Sequence, residues 1–260
     1  MADWRENLFS KRADLSIKIM NQRWPTTELF VDAIMSKLNE FGIAKGRALD
    51  LCCGNGRVSI HLAKKGWRTV GVDFSKEYLT DALEKTKSHG VADVCKFIHG
   101  DVRELSKLLT GIEVFDFVVS AWTSIGYTTI SDDASIFRQA REVSRKGAIL
   151  MILDTVHAGR ALNPAPGNTF MDLGDMVMLE RQSYDPLTSR IENLWSFYQK
   201  DGRDLKFVDD LEYRIHVYSA SELTEVLSTT GWRVEEVIGS LVTKRPFSTQ
   251  TGMNIVARAI

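Results

Sequence analysis

The stretch Arg47–Gly66, RALDLCCGNGRVSIHLAKKG, limits the possible folds of this chain more than any other. It begins with a short apolar run of strand length, Ala48–Leu51, and apolar residues recur at helical spacing after Gly56. Between them, Cys52-Cys53-Gly54-Asn55-Gly56 predicts a tight turn, because glycine adopts positive φ easily and lets a bound molecule approach the backbone. The helix that follows offers unpaired N–H groups and a partial positive charge at its start. We therefore expect a ligand site at this corner, although one Gly-x-Gly also suits a plain turn.

Two further strand candidates end in acids. The segment Trp67–Val72 runs into Asp73, and Val94–His99 runs into Gly100 and Asp101. In an open parallel sheet the carboxyl ends of the strands share one edge, so the glycine turn, Asp73 and Asp101 should converge on one crevice. There the carboxylate of Asp73 can accept hydrogen bonds from two ribose hydroxyls.

This combination resembles the class I S-adenosylmethionine-dependent methyltransferases. The resemblance rests on Asp50–Gly56 as the D-x-x-x-G-x-G loop, Val70–Ser75 as the ribose strand, and Gly100–Val102 on the adenine side. It implies S-adenosyl-L-methionine as cofactor and S-adenosyl-L-homocysteine as product. The loop backbone would meet the methionyl part and Asp50 would help to hold its ammonium group. Asp73, with Phe74 and Ser75, would face the ribose, and Asp101 with Val102 would face the adenine. The loop residues implied are Cys52, Cys53, Gly54, Asn55 and Gly56.

Strands and helices alternate from residue 47 to 154, which predicts an α/β fold with parallel strands and right-handed crossovers. With the resemblance, this implies a Rossmann-like, doubly wound, seven-stranded mixed sheet whose last strand is antiparallel. We expect a single domain of 260 residues, with an N-terminal helical cap at 1–44 and a cofactor-binding core at 45–154. Residues 155–218 would form a small antiparallel β insert after the fifth strand, and residues 219–260 would complete the core.

The insert is predicted from turn residues at 163–168 and three strand-like segments, 176–184, 190–198 and 205–217. Because it follows the fifth strand, it should lie at the carboxyl-end side of the sheet. It could cover the site and choose the substrate, or form a dimer surface, and both roles stay open.

The segment Ser120–Tyr127, after the fourth strand candidate, should face the transferred methyl group. It lacks the N-P-P-Y-like sequence typical of amino-methyltransferases of nucleic acids, and its T-S-x-G-Y resembles small-molecule methyltransferases. Ser120 and Trp122 are candidate cofactor contacts, and Tyr127 is a candidate catalytic or substrate-contacting residue. His157 is the candidate general base, because imidazole titrates near neutral pH; an enzyme that binds a neutral amine would need no base.

Composition limits the partners. The 33 basic and 34 acidic residues give a net charge of −1, so no global basic bias toward nucleic acid or anionic membrane exists. No apolar run reaches membrane-spanning length and no signal peptide is evident, which predicts a cytoplasmic protein. Three cysteines and five scattered histidines predict neither a disulfide framework nor a metal site.

These observations favour methyl transfer to an N or O nucleophile of a small molecule, by a monomer or homodimer. A methyltransferase acting on RNA or protein is the main alternative. An NAD-dependent oxidoreductase fits less well, because Val58 and Ser59 stand where a third glycine would be and Asp101 has no dinucleotide counterpart. A non-catalytic protein that kept the cofactor site is the third alternative.

Overall fold

Two β-sheets organise the chain in a computed structural model that describes residues 4–112, 114–122, 124–162 and 168–260. Thr123 and residues 163–167 of the turn predicted at 163–168 lie outside the described residues. The large sheet has the strand order β11-β10-β12-β5-β4-β1-β2-β3. Its strands are β1 (Arg47–Leu51), β2 (Arg68–Asp73), β3 (Cys95–His99), β4 (Phe115–Ala121), β5 (Ser144–Thr155), β10 (Trp232–Ser240), β11 (Arg245–Pro246) and β12 (Met253–Ala259).

The predicted sheet class is confirmed. Strands β1 to β5 pair in parallel, and β12 runs antiparallel to both β5 and β10. The two-residue strand β11 adds an eighth, antiparallel member at the edge beside β10. Strand β4 and residues 148–153 of β5 are almost entirely buried, as expected for strands covered on both faces.

Helices cover both faces of this sheet. The main ones are α2 (Ala13–Gln22), α3 (Thr27–Glu40), α4 (Arg57–Lys64), α5 (Lys76–Ser88), α7 (Ile130–Glu142) and α9 (Ala220–Ser228). Shorter ones are α1 (Trp4–Glu6), which continues as one π-helical turn (Asn7–Lys11), α6 (Leu105–Leu108) and α8 (Ala158–Leu162), with 3₁₀ turns at Trp24–Thr26 and Val102–Glu104. Helices α5, α7 and α9 begin at Ser75, Thr129 and Ser219, whose hydroxyls accept backbone N–H bonds as N-caps.

The insert is a separate antiparallel sheet in the order β6-β7-β8-β9. Its strands are β6 (Asn168–Asp172), β7 (Met176–Asp185), β8 (Arg190–Asp201) and β9 (Asp204–His216). Three were predicted; β6 was missed because nearly all of its residues are exposed and show no apolar alternation.

The N-terminal helices pack directly on this insert. Leu8, Leu15 and Ile19 share a buried cluster with side chains of the insert, among them Met176 and Met178. Burial of this apolar surface holds the two segments together, so they form one cover. None of the described helices is long and apolar enough to cross a membrane.

Candidate active site

The glycine corner has the backbone that its sequence predicts. Cys52, Gly54 and Gly56 have φ values of 53°, 54° and 75°, and Gly56 is the left-handed N-cap of α4. A Cβ atom on Gly54 would lie 2.9 Å from Sδ of Met20 in α2, so the turn approaches the N-terminal cover closely. A Cβ atom on Gly56 would lie 2.5 Å from the Phe97 ring, which shows that this glycine serves packing. Because Gly54 and Gly56 have no side chains, the backbone of the turn stays accessible at these two positions between the sheet and the N-terminal helices.

Asp73 connects the end of β2 to this corner. Its carboxylate accepts N–H bonds from Gly54 at 2.8 Å and Ser75 at 2.9 Å. Burial raises the pKa of Asp73 to about 6, although backbone hydrogen bonds act in the opposite direction. The side chain is 5% exposed, and it still lines the cavity described below. Because a carboxylate has about four acceptor positions, it can take further donors from a ligand.

Asp50 is held at the end of β1 by the helix that follows. One of its oxygens, Oδ2, accepts bonds from the Ser59 amide at 3.2 Å and the Ser59 hydroxyl at 2.7 Å. Burial raises the pKa of Asp50 to about 6, and the bonds from Ser59 and the charge of Arg57 oppose that shift. These contacts fix the carboxylate beneath the glycine turn, where Asp50 lines the cavity.

Asp101 lies at the other end of the crevice, after β3. Its carboxylate accepts bonds from Nε and Nη2 of Arg103 at 2.9 and 2.6 Å. Burial acts against ionisation, but the bonds from Arg103 outweigh it and lower the pKa of Asp101. Val102 is buried beside it, so an apolar side chain and a carboxylate are neighbours at this position.

A cavity of 1560 Å³ brings most of the predicted residues together. Twelve of the predicted residues line it: Asp50, Cys52, Cys53, Gly54, Asn55, Asp73, Phe74, Ser75, Asp101, Val102, Trp122 and Tyr127. Gly56 packs on Phe97, as described above. Ser120 is 2% exposed inside the sheet, where it pairs with Leu51 and Ile152. Its place in the strand does not support the predicted cofactor contact.

His157 occupies a different place from the one predicted. Its ring is 2% exposed, and its Nε2 lies 3.1 Å from the carbonyl oxygen of Thr251. The ring of Phe247 packs against it at 4.7 Å between centroids. Burial lowers the pKa of His157, while hydrogen bonds to the carbonyls of Thr251 and Ser248 raise it. The imidazole, directly before α8, thus contacts the loop between β11 and β12, and this geometry does not support a role as general base.

Tyr127 lies between the crevice and the N-terminal cover. Its ring is 5.9 Å from Trp4 and 5.5 Å from Phe9, between centroids. Burial, with smaller effects from Cys52 and Asp73, raises the pKa of the Tyr127 hydroxyl above its usual range. The phenol is therefore protonated at neutral pH and can act as a hydrogen-bond donor.

The loop that carries Tyr127 is fixed by a buried acid. Asp133 accepts bonds from the Gly126 amide at 2.9 Å and the Tyr218 hydroxyl at 2.6 Å. The carbonyl of Gly126 in turn accepts from the His216 amide at 2.8 Å. Burial raises the pKa of Asp133 to about 6. These bonds tie the loop to the last strand of the insert.

Sequence reasoning missed the basic groups of the crevice. Arg23, at the end of α2, places its guanidinium 4.5 Å from the centre of the Trp122 ring, and Arg57 lies in the first turn of α4. Burial lowers the pKa of both arginines, and the charge of Asp154 opposes the shift. Nε of Arg23 is buried without a hydrogen-bond partner among the described residues. Arg57 directly follows Gly56 and could have been noticed; Arg23 has no sequence signal, because it comes from a helix that precedes the sheet.

The cavity is lined by charges of both signs. Asp73 and Asp101 can hold the hydroxyls and amine of a nucleoside. Asp50, Asp154 and Arg23 line the same cavity, and acids and a cation together suit an amino acid with its ammonium and carboxylate groups.

Three comparisons with known proteins agree with this description. Residues 44–203 match the family described as "Methyltransferase domain". The putative methyltransferase YqeM of Bacillus subtilis (strain 168) is 30% identical over 207 residues, which cover 78% of this chain and 79% of that protein.

Two solved structures share the fold. A S-adenosylmethionine-dependent methyltransferase from Clostridium acetobutylicum superposes with a TM-score of 0.74 at 18% identity, covering 89% of this chain and 91% of its own. The S-adenosylmethionine-bound CalS10 of Micromonospora echinaspora, an amino pentose methyltransferase, gives a TM-score of 0.69 at 13% identity, covering 94% and 97%.

Proposed function

The chain belongs to the S-adenosylmethionine-dependent methyltransferases, and from this premise we propose that it transfers the methyl group to an N or O nucleophile of a small molecule. The observation that carries the proposal is the size of the cavity together with the segments that line it. Its 1560 Å³ exceeds the roughly 300–1,000 Å³ of a pocket for one ligand, so it has room for a cofactor and an acceptor together. The N-terminal helices and the insert both line it. A covered chamber of this kind suits a small acceptor better than a macromolecule.

The residues that line the crevice fit the cofactor. Asp73 would hold the ribose hydroxyls, and Asp101 with Val102 would hold the adenine. Asp50 and Asp154 would hold the ammonium group, and Arg23 would hold the carboxylate through a guanidinium whose Nε has no other partner among the described residues. When bound, the cofactor supplies a methyl group already activated by its positively charged sulfur.

The protein then has three tasks. It holds the acceptor in line with the methyl group, which can account for much of the acceleration. It excludes water, through the aromatic contacts that Trp4 and Phe9 make with Tyr127. The protonated hydroxyl of Tyr127 orients the acceptor or the cofactor by donating a hydrogen bond. Neither Tyr127 nor His157 is placed to accept a proton, so an acceptor that reaches the site as a neutral amine suits this geometry best.

One of the two similar solved structures, that of CalS10, supports a small acceptor. CalS10 acts on an amino pentose and shares the fold over nearly the whole chain. Its identity of 13% is too low to transfer a substrate, so the amino sugar is one member of the panel to be tested.

The proposal is tested by binding and by turnover. We expect S-adenosylmethionine and S-adenosylhomocysteine to bind in isothermal titration, and Asp73→Ala to weaken both by about tenfold to a hundredfold, because it loses charge-assisted hydrogen bonds. Transfer of a tritiated methyl group is then measured to amino sugars, aryl amines, phenols, bulk RNA and unrelated proteins. Labelling of RNA or protein alone would refute the small-molecule proposal, and NAD binding without adenosyl binding would refute the whole assignment.

A further inference from the structure

The inner face of the insert has a polar layer between two apolar layers. At one end, Met176 and Met178 pack on the N-terminal helices; at the other, Ile191 and Ile215 pack near Tyr127. The middle layer is formed by residues that the strand register places side by side: Thr169, Glu180, Asn193, Trp195 and Tyr213. Thr169, Glu180, Trp195 and Tyr213 line the same cavity as the glycine turn. A polar layer at this depth needs partners for its groups.

Glu180 is the centre of this layer, and neutral groups hold it. Its Oε1 accepts bonds from Nδ2 of Asn193 at 2.5 Å and from Nε1 of Trp195 at 3.0 Å. Its Oε2 accepts from the Thr169 hydroxyl at 2.9 Å. These donors fix the position of the carboxylate but bring no positive charge to it. The acid is half-buried and faces a chamber that a small molecule can enter.

The layer also has more hydrogen-bond acceptors than donors. Both bonds of the Asn193 amide are used, one to Glu180 and one to the Tyr213 hydroxyl oxygen at 2.8 Å. Oδ1 of Asn193, a residue 3% exposed, is buried without a hydrogen-bond partner among the described residues. The amide cannot be reversed, since its oxygen would then face the Glu180 carboxylate. The acceptor positions that remain on Glu180, which lines the cavity, therefore suit a ligand that donates hydrogen bonds.

Aromatic rings complete the site. Trp195 and Tyr213 lie 4.8 Å apart between centroids in an edge-to-face arrangement beside Glu180. Burial, and the negative charge of Glu180, raise the pKa of Tyr213 above its usual range, so its hydroxyl carries no charge. A carboxylate next to aromatic faces is a combination that binds organic cations.

We infer that the layer formed by Thr169, Glu180, Asn193, Trp195 and Tyr213 is a recognition site for a protonated amino group that the methyl acceptor carries in addition to its nucleophilic atom. Glu180 pairs with the cation, the two rings face its alkyl or ammonium surface, and Asn193 positions the oxygens of Glu180 and Tyr213. The ammonium group anchors the acceptor and is not itself methylated, so the nucleophile remains a neutral N or O atom elsewhere in the molecule. The inference rests on the proposed function, since it assigns the acceptor of that reaction to molecules that carry an ammonium group.

The test compares ammonium ligands with neutral ligands of the same shape. Benzylamine with benzyl alcohol, and cyclohexylamine with cyclohexanol, are titrated against the full chain saturated with S-adenosylhomocysteine. Binding is followed by saturation-transfer NMR at pH 7. We expect each amine to bind at least about tenfold more tightly than its alcohol, because a hydrogen bond to a charged group contributes more than a neutral one.

Glu180→Gln keeps the size and one acceptor oxygen but removes the charge, and it should bring amine and alcohol to within about twofold. Glu192→Gln is the matched control. Glu192 lies on the neighbouring strand β8, next to Asn193, and pairs with the exposed Arg214. The substitution Glu192→Gln removes the same charge from the same sheet, and the variant should keep the preference for amines.

Three outcomes would overturn the inference: equal binding of amine and alcohol, no binding of either amine, or an amine preference that survives Glu180→Gln. If Glu180→Gln fails to fold, Tyr213→Phe decides: it should lower amine affinity at least about threefold, and unchanged affinity would refute the site. Titration of the wild-type chain with S-adenosylhomocysteine alone distinguishes this inference from the proposed function. If S-adenosylhomocysteine does not bind, the proposed methyl transfer is refuted, whereas the preference for amines is decided by the comparison of amines with alcohols.

Discussion

Beyond any contribution of Asp50, whose pKa is also about 6, lowering the pH from 7 to 5 should weaken the binding of S-adenosylhomocysteine about tenfold through Asp73. Its buried carboxylate has a pKa of about 6 in the ligand-free protein. The backbone amides of Gly54 and Ser75 already donate to it, and the ribose hydroxyls would add further donors. Such donors need the ionised form, so binding and protonation compete.

The size of the effect follows from the fraction of Asp73 that is ionised. With a pKa of about 6, roughly nine-tenths of the molecules carry the carboxylate at pH 7 and roughly one-tenth at pH 5. The apparent affinity follows this fraction, which gives about a tenfold loss, or about 1.4 kcal/mol. The sign is fixed by linkage: because the ligand prefers the deprotonated acid, affinity is present above pH 6 and is lost as the pH falls through it.

Isothermal titration at half-unit steps of pH measures this dependence. Asp73→Asn should bind weakly, and its loss of affinity between pH 7 and pH 5 should be about tenfold smaller than that of the wild type. Asp133→Asn is the matched control, since Asp133 also has a pKa of about 6 and lines the same cavity, yet it bonds Gly126 and Tyr218. It should keep the full loss of the wild type. A flat wild-type profile, or an Asp73→Asn profile as steep as that of the wild type, would refute the reasoning.

Two substitutions test the structure around the site. Gly126→Ala should lower the free energy of unfolding by more than about 2 kcal/mol in urea denaturation, because Gly126 has a φ of 84° and a Cβ atom there would lie 2.1 Å from the His216 carbonyl oxygen; an unchanged midpoint would contradict that contact. His157→Gln should keep the initial rate of methyl transfer within about twofold while costing about 1–3 kcal/mol of stability, because the buried ring bonds the Thr251 carbonyl and His157 is not among the described residues that line the cavity. A rate reduced a hundredfold in folded protein would restore His157 as the base.

The cofactor side of the site was predictable because its rules are local. The glycine turn, the acid at the end of β2 and the helix after it are adjacent in sequence, and backbone sterics require glycine at positive φ. The parallel order of β1 to β5 then places their carboxyl ends at one edge. Asp73 and Asp101 are 28 positions apart in the sequence, and they could therefore still be predicted to lie at the same edge of the sheet.

The acceptor side was not predictable because it depends on strand register and on distant packing. Glu180, Asn193 and Tyr213 meet only because β7, β8 and β9 pair in one register, and a shift of one residue would turn each side chain to the other face. The placement of His157 depends on Thr251, which is 94 residues away. Its position after the fifth strand suggested the crevice, but α8 begins there and directs the ring to the C-terminal loop.

The N-terminal helices and the insert pack together as one cover. This packing connects the part of the cavity around Glu180 with the part around the glycine turn. Leu8, Leu15 and Ile19 share a buried cluster with the insert, while Met20 of the next helical turn lies against the glycine corner. Arg12 adds an ion pair from the N-terminal segment to Asp209 of β9. The segment that lies over the cofactor turn therefore cannot move without disturbing the sheet that carries Glu180. We therefore expect an acceptor that contacts the insert to hold the N-terminal helices over the cofactor as well, because the two segments share this buried cluster.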